Sequence, residues 1–441
     1  MTTLLAEKVL IIGYVWPEPN SSAAGTRMMQ LIHSLQAQAC EICFASPAKP
    51  GEHQFDLHSL GIQQQEILLN DSSFDDFLRQ FQPGLVIFDR FMMEEQFGWR
   101  VEKHCPNALR ILNTEDLHSL REVRQQMLKD AVKEDALGHH LQPALCQDSM
   151  TLFNKMSGSD LAIREISAIL RCDLTLMISA FETNLLQTAF NLAPQLLFTL
   201  PFIYPDASPN SKPSFENRQH FICIGNFRHA PNWDAVLTLK HIWPQIRQAL
   251  PNAELHIYGA YPPKKATELH NAKQGFYVKG WADDALTVVK SAKVMLAPLR
   301  FGAGIKGKLA EAMLCGTPSV TTPLGAESMC QSIEEWNGAV VDSLDAFVEQ
   351  AIALYQNPEI WQAAQLKGDA LFEAQFAKKS FYEQALFERI QVLQNHLTEE
   401  RKRNFTGKML RHHLHKSTQY MAQWIEAKNK LPPAQTPNTD P

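Results

Sequence analysis

Short apolar runs alternate with longer segments of helical periodicity along most of this chain. The first run, residues 8–13, ends at a glycine and is followed by apolar residues at the spacing of an amphipathic helix: Met28, Leu31, Ile32 and Leu35. Further apolar runs follow at residues 41–46, 85–89, 110–113 and 174–179. Nearly continuous apolar strands separated by helices are typical of a parallel sheet covered on both faces. The pattern therefore predicts an α/β fold.

The alternation stops after Leu200 and then begins again. The residues in between are rich in proline, serine and asparagine, which predicts a linker at residues 206–219. Because 441 residues exceed what one hydrophobic core usually serves, we expect two doubly wound Rossmann-like domains facing a cleft, at residues 1–205 and 220–375. The second series of apolar runs lies at residues 221–225, 254–259, 276–280, 294–299, 319–322 and 339–341.

The C-terminal part of the chain has a different composition. Residues 376–430 are predicted to be helical, with the first helix packing back on the N-terminal domain, and residues 431–441 to be a disordered tail. The segment 401–430 contains eight lysines or arginines and one acid, Glu426. Such a basic helix is either a solvated surface helix or a contact with anionic lipid at the inner face of a membrane. The sequence leaves both interpretations open.

Composition and charge exclude several classes of protein. The net charge of -6 leaves no excess of positive charge for a phosphate backbone, so we expect no nucleic-acid partner. The N-terminal residues lead directly into the first strand and do not resemble a signal peptide. The eight cysteines include one CxxC motif, Cys40 to Cys43, which lies inside a strand-like run with no second pair or histidine cluster nearby. This indicates buried, reduced thiols and a cytoplasmic location.

The residues most informative about chemistry lie between Pro298 and Ser328. A strand is predicted to end at Leu299, and a helix to begin near Gly307 and to end at Gly316. The loop between them contains Gly302 and Gly304. A glycine loop before a helix presents unpaired N–H groups and the positive end of the helix dipole, and together these bind phosphate.

Charged side chains flank this loop. Lys306 and Lys308 add positive charge for a diphosphate, and Glu311 shares a helix face with Lys308 because three residues separate them. A nucleotide-sugar needs this combination of a cation for the diphosphate and a carboxylate for sugar hydroxyls. The pattern is not a P-loop, because Leu309 replaces the hydroxyl residue that binds magnesium there. The alternative is a loop that only turns, with Lys308 and Glu311 as a surface ion pair.

With these residues the chain resembles the retaining glycosyltransferases of family 4, the group 1 glycosyltransferases. The resemblance covers roughly residues 8–380, with further matches at residues 114–121, 164–186 and 225–236. It implies the GT-B fold: two doubly wound parallel-sheet Rossmann-like domains facing a cleft, plus a C-terminal helical extension. The matching donor-binding signature consists of Gly302, Gly304, Lys306, Lys308, Glu311, Gly316, Pro318, Thr322, Gly325 and Glu327.

The resemblance implies roles for residues of the C-terminal domain. Glu311 would bind the donor ribose, and Lys308 and Lys306 would neutralise the diphosphate. Arg228 is the nearest match to a basic residue that the family often has after the first strand of this domain. The backbone of three further residues would approach the donor: Gly325, Ala326 and Glu327. Many members have a second glutamate at the position of Ala303, so the identity of the donor sugar stays open.

The resemblance also implies roles in the N-terminal domain. His118 would line the sugar pocket, with Asp116 and Arg121 beside it, or it would be a structural histidine. The loop at residues 17–27 would lie beside the acceptor and the donor phosphates. Small residues leave room for a ligand there: Ser21, Ser22 and Gly25. Ser22 has the alternative role of a helix N-cap.

These residues predict a metal-independent glycosyltransferase without a cofactor, in which lysines and a helix N-terminus stabilise the departing diphosphate. Retention of the anomeric configuration is implied by the resemblance. The acceptor is a glycan, a lipid-linked or a protein acceptor, and cell-surface polysaccharide biosynthesis fits these classes. Two alternatives are a nucleotide-sugar epimerase and a non-catalytic scaffold subunit that binds sugar nucleotides.

Overall fold

A computed structural model describes residues 7–134, 148–206 and 212–430 of this chain. The predicted tail at residues 431–441 and residues 207–211 of the predicted linker lie outside the described residues.

The N-terminal domain is built on a seven-stranded sheet, with strands β1 Lys8–Ile12, β2 Glu41–Ser46, β3 Gln63–Glu66, β4 Leu85–Asp89, β5 Leu109–Asn113, β6 Leu174–Met177 and β7 Leu197–Thr199. All paired strands are parallel, and their order is β3-β2-β1-β4-β5-β6-β7. The helices are α1 Ala23–Gln36, α2 Ser73–Phe81, α3 Phe91–His104, α4 His118–Glu134, α5 Ser149–Met156, α6 Asp160–Arg171 and α7 Ala180–Thr188.

The C-terminal domain repeats this plan with six strands: β8 Gln219–Ile224, β9 Leu255–Tyr258, β10 Phe276–Gly280, β11 Ala292–Ala297, β12 Ser319–Thr321 and β13 Gly338–Val340. The strands are again parallel, in the order β10-β9-β8-β11-β12-β13. The helices are α8 Ala230–Ala249, α9 Lys264–Thr267, α10 Ala285–Ser291, α11 Gly307–Leu314, α12 Pro323–Ala326, α13 Leu344–Gln356 and α14 Pro358–Gln375.

The predicted fold of two doubly wound parallel-sheet domains is confirmed. In each sheet the strand order reverses beside the first strand of the domain, between β1 and β4 and between β8 and β11. Ligands of doubly wound domains bind outside the carboxyl ends of the strands at such a reversal. Two edge strands, β3 and β7, have no counterpart among the predicted apolar runs.

Three helices follow the second domain: α15 Lys379–Asn395, α16 Leu397–Arg403 and α17 Phe405–Lys430. Helix α15 packs on the N-terminal domain, where its apolar residues enter the core formed by β1 and α1: Leu386, Phe387, Ile390 and Leu393. Helix α17 continues over the same domain and contacts α3 and α6. The chain therefore returns from the second domain to the first, and its C-terminal helices pack on the first domain.

Candidate functional site

Loops from both domains meet in the cleft at the carboxyl ends of the strands. The first turns of two helices touch there, because a Cβ atom added to Gly307, the first residue of α11, would lie 2.8 Å from the Cβ atom of Ala23, the first residue of α1. Each helix N-terminus carries unpaired N–H groups and a partial positive charge. The two domains thus present two such termini to one place, which suits an anionic ligand.

The glycine loop between β11 and α11 packs closely on the N-terminal domain. Gly304 has a φ of +65°, a conformation that favours glycine, and a Cβ atom there would lie 2.9 Å from the Cβ atom of Asp116. Ala303 is buried in the same apolar core as Leu117 and Leu120 of the N-terminal domain. At the position where many family members have a glutamate, this chain therefore has a packing residue.

Lys308 and Glu311 lie on one face of α11, while the opposite face, with Leu309, Ala312 and Met313, is buried. The ammonium of Lys308 donates a hydrogen bond to the Asn232 side-chain oxygen at 2.6 Å. Burial lowers the pKa of Lys308.

The carboxyl group of Glu311 has no hydrogen-bond partner among the residues that the structure describes. Burial raises its pKa to about 7, and Lys308 offsets only part of this effect. A buried charge without enough partners is costly, so an added ligand that donates hydrogen bonds to Glu311 would stabilise the ionised form.

Lys306 is placed differently from Lys308. Its side chain is buried, and its ammonium donates to the carbonyl oxygen of Gly304 in its own loop at 2.6 Å. Burial lowers the pKa of Lys306, while the nearby carboxylate of Glu327 favours its charged form. Lys306 therefore supports the shape of the glycine loop.

Arg124 of α4 connects the two domains. Its guanidinium donates two hydrogen bonds to the Glu327 carboxylate, at 2.9 and 2.6 Å, and a third to the Gly302 carbonyl oxygen at 2.9 Å. The Arg124 side chain is fully buried. Glu327, a residue expected near the donor, is thus held by an arginine that had no predicted role. The only sequence signal is its spacing of three residues from Arg121 on one helix.

Glu182 of α7 holds the same loop from the other side. Its Oε1 atom accepts a hydrogen bond from the Gly304 backbone N–H at 2.7 Å, while Oε2 is buried without a partner. Burial and the negative charge of Asp116 raise the pKa of Glu182 to about 8. Glu182 lies in the matching segment 164–186 but had no predicted role.

Asp116, His118 and Arg121 form a cluster at the start of α4. The Asp116 carboxylate accepts a hydrogen bond from Arg121 and lies 3.6 Å from Nε2 of His118. Burial alone would raise the pKa of Asp116, but Arg121 and His118 more than offset it and the pKa is lowered. Burial lowers the pKa of His118 to about 4, so this imidazole is neutral at pH 7.

A second histidine faces this cluster from the C-terminal domain. Desolvation, followed by the charge of Arg121, lowers the pKa of His229, although its side chain is exposed, and the charges of Asp116 and Lys308 also act on it. The His229 ring therefore lies within electrostatic range of both the Asp116 and Arg121 side chains and the lysine of α11. It directly follows Arg228 and had no predicted role.

The small residues of the N-terminal loop have structural partners. Ser22 is the N-cap of α1, and its hydroxyl accepts a hydrogen bond from the Gly25 N–H at 3.1 Å. The Ser21 hydroxyl accepts one from the Asn226 side chain of the other domain at 3.1 Å. A Cβ atom at Gly25 would lie 2.3 Å from the Glu18 carbonyl oxygen, so this position has no room for a side chain.

The remaining predicted donor residues lie around the cleft. Arg228 is exposed, and its guanidinium stacks 3.5 Å above the Tyr261 ring. Gly325 and Ala326 are the last two residues of the short helix α12, where the Gly325 N–H donates to the Thr322 hydroxyl at 3.1 Å. Within residues 7–134, 148–206 and 212–430, no group of three or more acidic, histidine or cysteine side chains is placed to hold a metal ion.

Comparison with known proteins identifies the class of this domain. Residues 218–357 match the protein-family model for group 1 glycosyl transferases. The matched residues cover most of the C-terminal domain, so this domain is similar to the group 1 glycosyl transferases. No curated protein sequence matches the chain.

Solved structures share the fold over nearly the whole chain. HepE from Anabaena, solved in complex with UDP-glucose, has a TM-score of 0.61 at 13% identity, covering 88% of this chain and 100% of HepE. Sucrose-phosphate synthase from Thermosynechococcus elongatus has a TM-score of 0.60 at 14% identity, covering 88% and 99% of the two chains. WaaG, a glycosyltransferase involved in lipopolysaccharide biosynthesis, has a TM-score of 0.55 at 13% identity, covering 86% and 98%. The fold is GT-B.

Across the described part of the chain, each helix is too short or too polar to cross a membrane.

Proposed function

We propose that this protein is a glycosyltransferase that moves a sugar from a nucleotide-sugar donor to a glycan, lipid-linked or protein acceptor. The observation that carries the proposal is the pairing of Lys308 with Glu311 on one face of α11, where two helix N-termini meet in the cleft. This face lies within the group 1 glycosyltransferase domain. Lys308 would neutralise the diphosphate, and Glu311 would accept hydrogen bonds from the donor ribose.

Transfer breaks the bond between the anomeric carbon and the diphosphate, so negative charge grows on the departing phosphate. Lys308 and the N-termini of α1 and α11 would stabilise this charge without a metal ion. His118 is neutral at pH 7, so its ring can both donate and accept hydrogen bonds with sugar hydroxyls. We propose retention of configuration, with the donor phosphate accepting the acceptor's proton, because the signature residues match the retaining family.

A uridine diphosphate sugar is the first donor to test, because HepE was solved with UDP-glucose. Purified protein is screened by thermal shift in EDTA against UDP, GDP, ADP and CMP sugars. A donor at 100 times its dissociation constant should stabilise the protein by roughly 2.7 kcal/mol. Lys308→Ala and Glu311→Gln should remove this stabilisation, and Lys273→Ala on the exposed surface of the C-terminal domain should retain it. The absence of a shift with all donors would refute the donor site.

Turnover then separates the proposal from its alternatives. Transfer to an acceptor in EDTA, with the anomeric configuration retained, supports it. Isomerisation of the donor without acceptor would indicate an epimerase instead. Binding of the donor without turnover on glycan, lipid-linked and protein acceptors would indicate a scaffold subunit, and dependence on added divalent metal would refute metal independence.

A further inference from the structure

Helix α17 is attached to the N-terminal domain by one face only. On this inner face, Gly407, Arg411, His415 and Ala422 are buried. Arg411 donates a hydrogen bond to the Arg171 carbonyl oxygen at 3.0 Å. A Cβ atom at Gly407 would lie 2.0 Å from the Leu170 carbonyl oxygen, so the backbone of α17 rests directly on α6. The helix is thus fixed in one orientation on the domain.

The opposite face, which we call the outer face of α17, carries large apolar side chains in solvent. A helix that only needs to be soluble has no reason to place several such groups on one surface. Their exposed fractions are 61% for Phe405, 47% for Met409, 65% for Tyr420, 62% for Met421 and 62% for Trp424.

Positive charges lie between and beside these apolar groups. The exposed basic side chains of this segment include Lys402, Arg403, Lys408, Lys416 and Lys428. The single acid of residues 401–430 is Glu426, which is half-buried and hydrogen-bonded to Ser72 and Lys430. The chain as a whole has a net charge of -6, so this helix collects positive charge on an otherwise acidic protein.

The loop before α2 adds apolar surface near the end of α17. Leu68 and Leu69 are 61% and 51% exposed. They precede Ser72, whose hydroxyl donates to Glu426 at 2.6 Å, by only a few residues. Two separate elements therefore place exposed apolar groups at this end of the domain.

We propose that the outer face of α17 docks the N-terminal domain on an anionic lipid bilayer. Aromatic and other apolar side chains enter the boundary between headgroups and acyl chains, while lysines and arginines attract anionic headgroups. The helix has 26 residues, and at a rise of about 1.5 Å per residue it lies flat over roughly 40 Å of surface. A polyanion in solution would match the charge but not the exposed Phe405, Met409 and Trp424.

If the proposed glycosyltransferase function holds, docking through this domain has a consequence for the acceptor. Helix α17 packs on α3 and α6 of the domain that also carries the loop with Ser21 and Ser22, the loop expected beside the acceptor. An acceptor carried by the membrane would then reach the cleft without leaving the lipid surface. Lipid-linked acceptors are therefore favoured over soluble ones.

The test is sedimentation of the full chain with vesicles of phosphatidylcholine alone and of phosphatidylcholine with phosphatidylglycerol, at low and high salt. One variant reverses two charges, Lys416→Glu with Lys428→Glu. A second removes two rings, Tyr420→Ser with Trp424→Ser. The matched control, Leu366→Ser with Lys367→Glu, changes an exposed apolar and an exposed basic residue on α14 of the other domain. Thermal unfolding checks that each variant is folded.

We expect binding to the anionic vesicles only, weakened by salt. Each lysine near an anionic surface contributes about fivefold in affinity, so the charge variant should lose roughly 25-fold or more. The ring variant should lose at least about tenfold, since each buried aromatic side chain contributes strongly. The control should bind like the wild type. Equal binding to neutral vesicles, or unchanged binding of either outer-face variant, would overturn the proposal. Vesicle binding needs no donor, so its failure would leave the proposed enzymatic function untouched.

Discussion

Replacing Arg124 with leucine should open the cleft between the two domains without unfolding either domain. Arg124 is fully buried and donates three hydrogen bonds to the C-terminal domain, two to Glu327 and one to the Gly302 carbonyl oxygen. Removing one partner of a buried ion pair costs about 3–5 kcal/mol, because the other charge is left without compensation. Here the protein can avoid much of that cost by opening the cleft, which returns Glu327 to water.

The loss should therefore be measured as weaker donor binding rather than as lower stability of each domain. If closure is required for donor binding, about 3 kcal/mol corresponds to roughly a 100-fold higher dissociation constant. Calorimetric titration with the donor measures this change, and small-angle scattering measures the larger radius of the open form. The scattering change needs no ligand, so it tests the contact even where the donor is unknown.

Two control variants test whether the buried contact of Arg124 is responsible for the expected change. Arg164 forms a bidentate pair with Glu95 at 3.2 and 2.7 Å but is largely exposed, so Arg164→Leu should cost only about 0–1 kcal/mol and leave the cleft unchanged. The double variant of Arg124→Leu with Glu327→Leu should bind better than Arg124→Leu alone, because no carboxylate is left buried without its arginine. If Arg124→Leu behaves like Arg164→Leu, the contact does not hold the domains together.

Three further predictions concern the loop and the C-terminal helix. Gly304→Ala should cost about 1 kcal/mol in strain at positive φ, and the approach of Asp116 should add to it, so donor affinity by titration should fall while Gly158→Ala, in open space, leaves it unchanged. The pKa of Glu182 is raised from 4.5 to about 8, so its stabilisation of the fold is fully present below pH 4.5 and is lost as the pH rises through 8. Between these two pH values, the free energy of unfolding in urea should depend less on pH in Glu182→Gln than in the wild type. Glu102 and Glu94 raise the pKa of His415 in spite of burial. The stabilisation of the fold by protonated His415 is therefore present below about pH 6.5 and is lost above the raised pKa. His415→Gln should lower the free energy of unfolding more at pH 6 than at pH 9. Equal losses at both pH values would contradict the last of these.

The central strands were predictable because they are buried on both faces and carry uninterrupted apolar runs. β1, β4 and β8 lie inside their sheets and have this pattern. β3, with the sequence QQQE, lies at an edge, pairs only with β2 and is partly exposed, so it has no apolar run to detect. β7 pairs only with β6, and with three residues β7 is too short to show a periodic pattern.

The pair of residues proposed to bind the donor was easier to predict from the sequence than the contacts between the domains. Lys308 and Glu311 are three residues apart on one helix, so their common face follows from helical geometry alone. Arg124 and Glu327 are 203 residues apart, and Glu182 and Gly304 are 122 apart. No local pattern relates residues at such distances, because the packing of one domain on the other decides which side chains meet.

Contacts between the domains also distinguish two lysines that are neighbours in the sequence, one at the end of the glycine loop and one in the first turn of α11. Lys306 and Lys308 have the same charge and almost the same position in the sequence, and spacing alone assigns both to the diphosphate. In the folded chain, Lys306 is drawn to the side where Glu182 and Glu327 approach from the domain contact, and it donates to its own loop. Lys308, one residue into α11, points along the helix face that holds Glu311 and stays within reach of a ligand. Under the proposed function, Lys306 would hold the glycine loop in the closed arrangement while Lys308 would bind the donor diphosphate, so closure of the cleft and stabilisation of the leaving diphosphate would occur together.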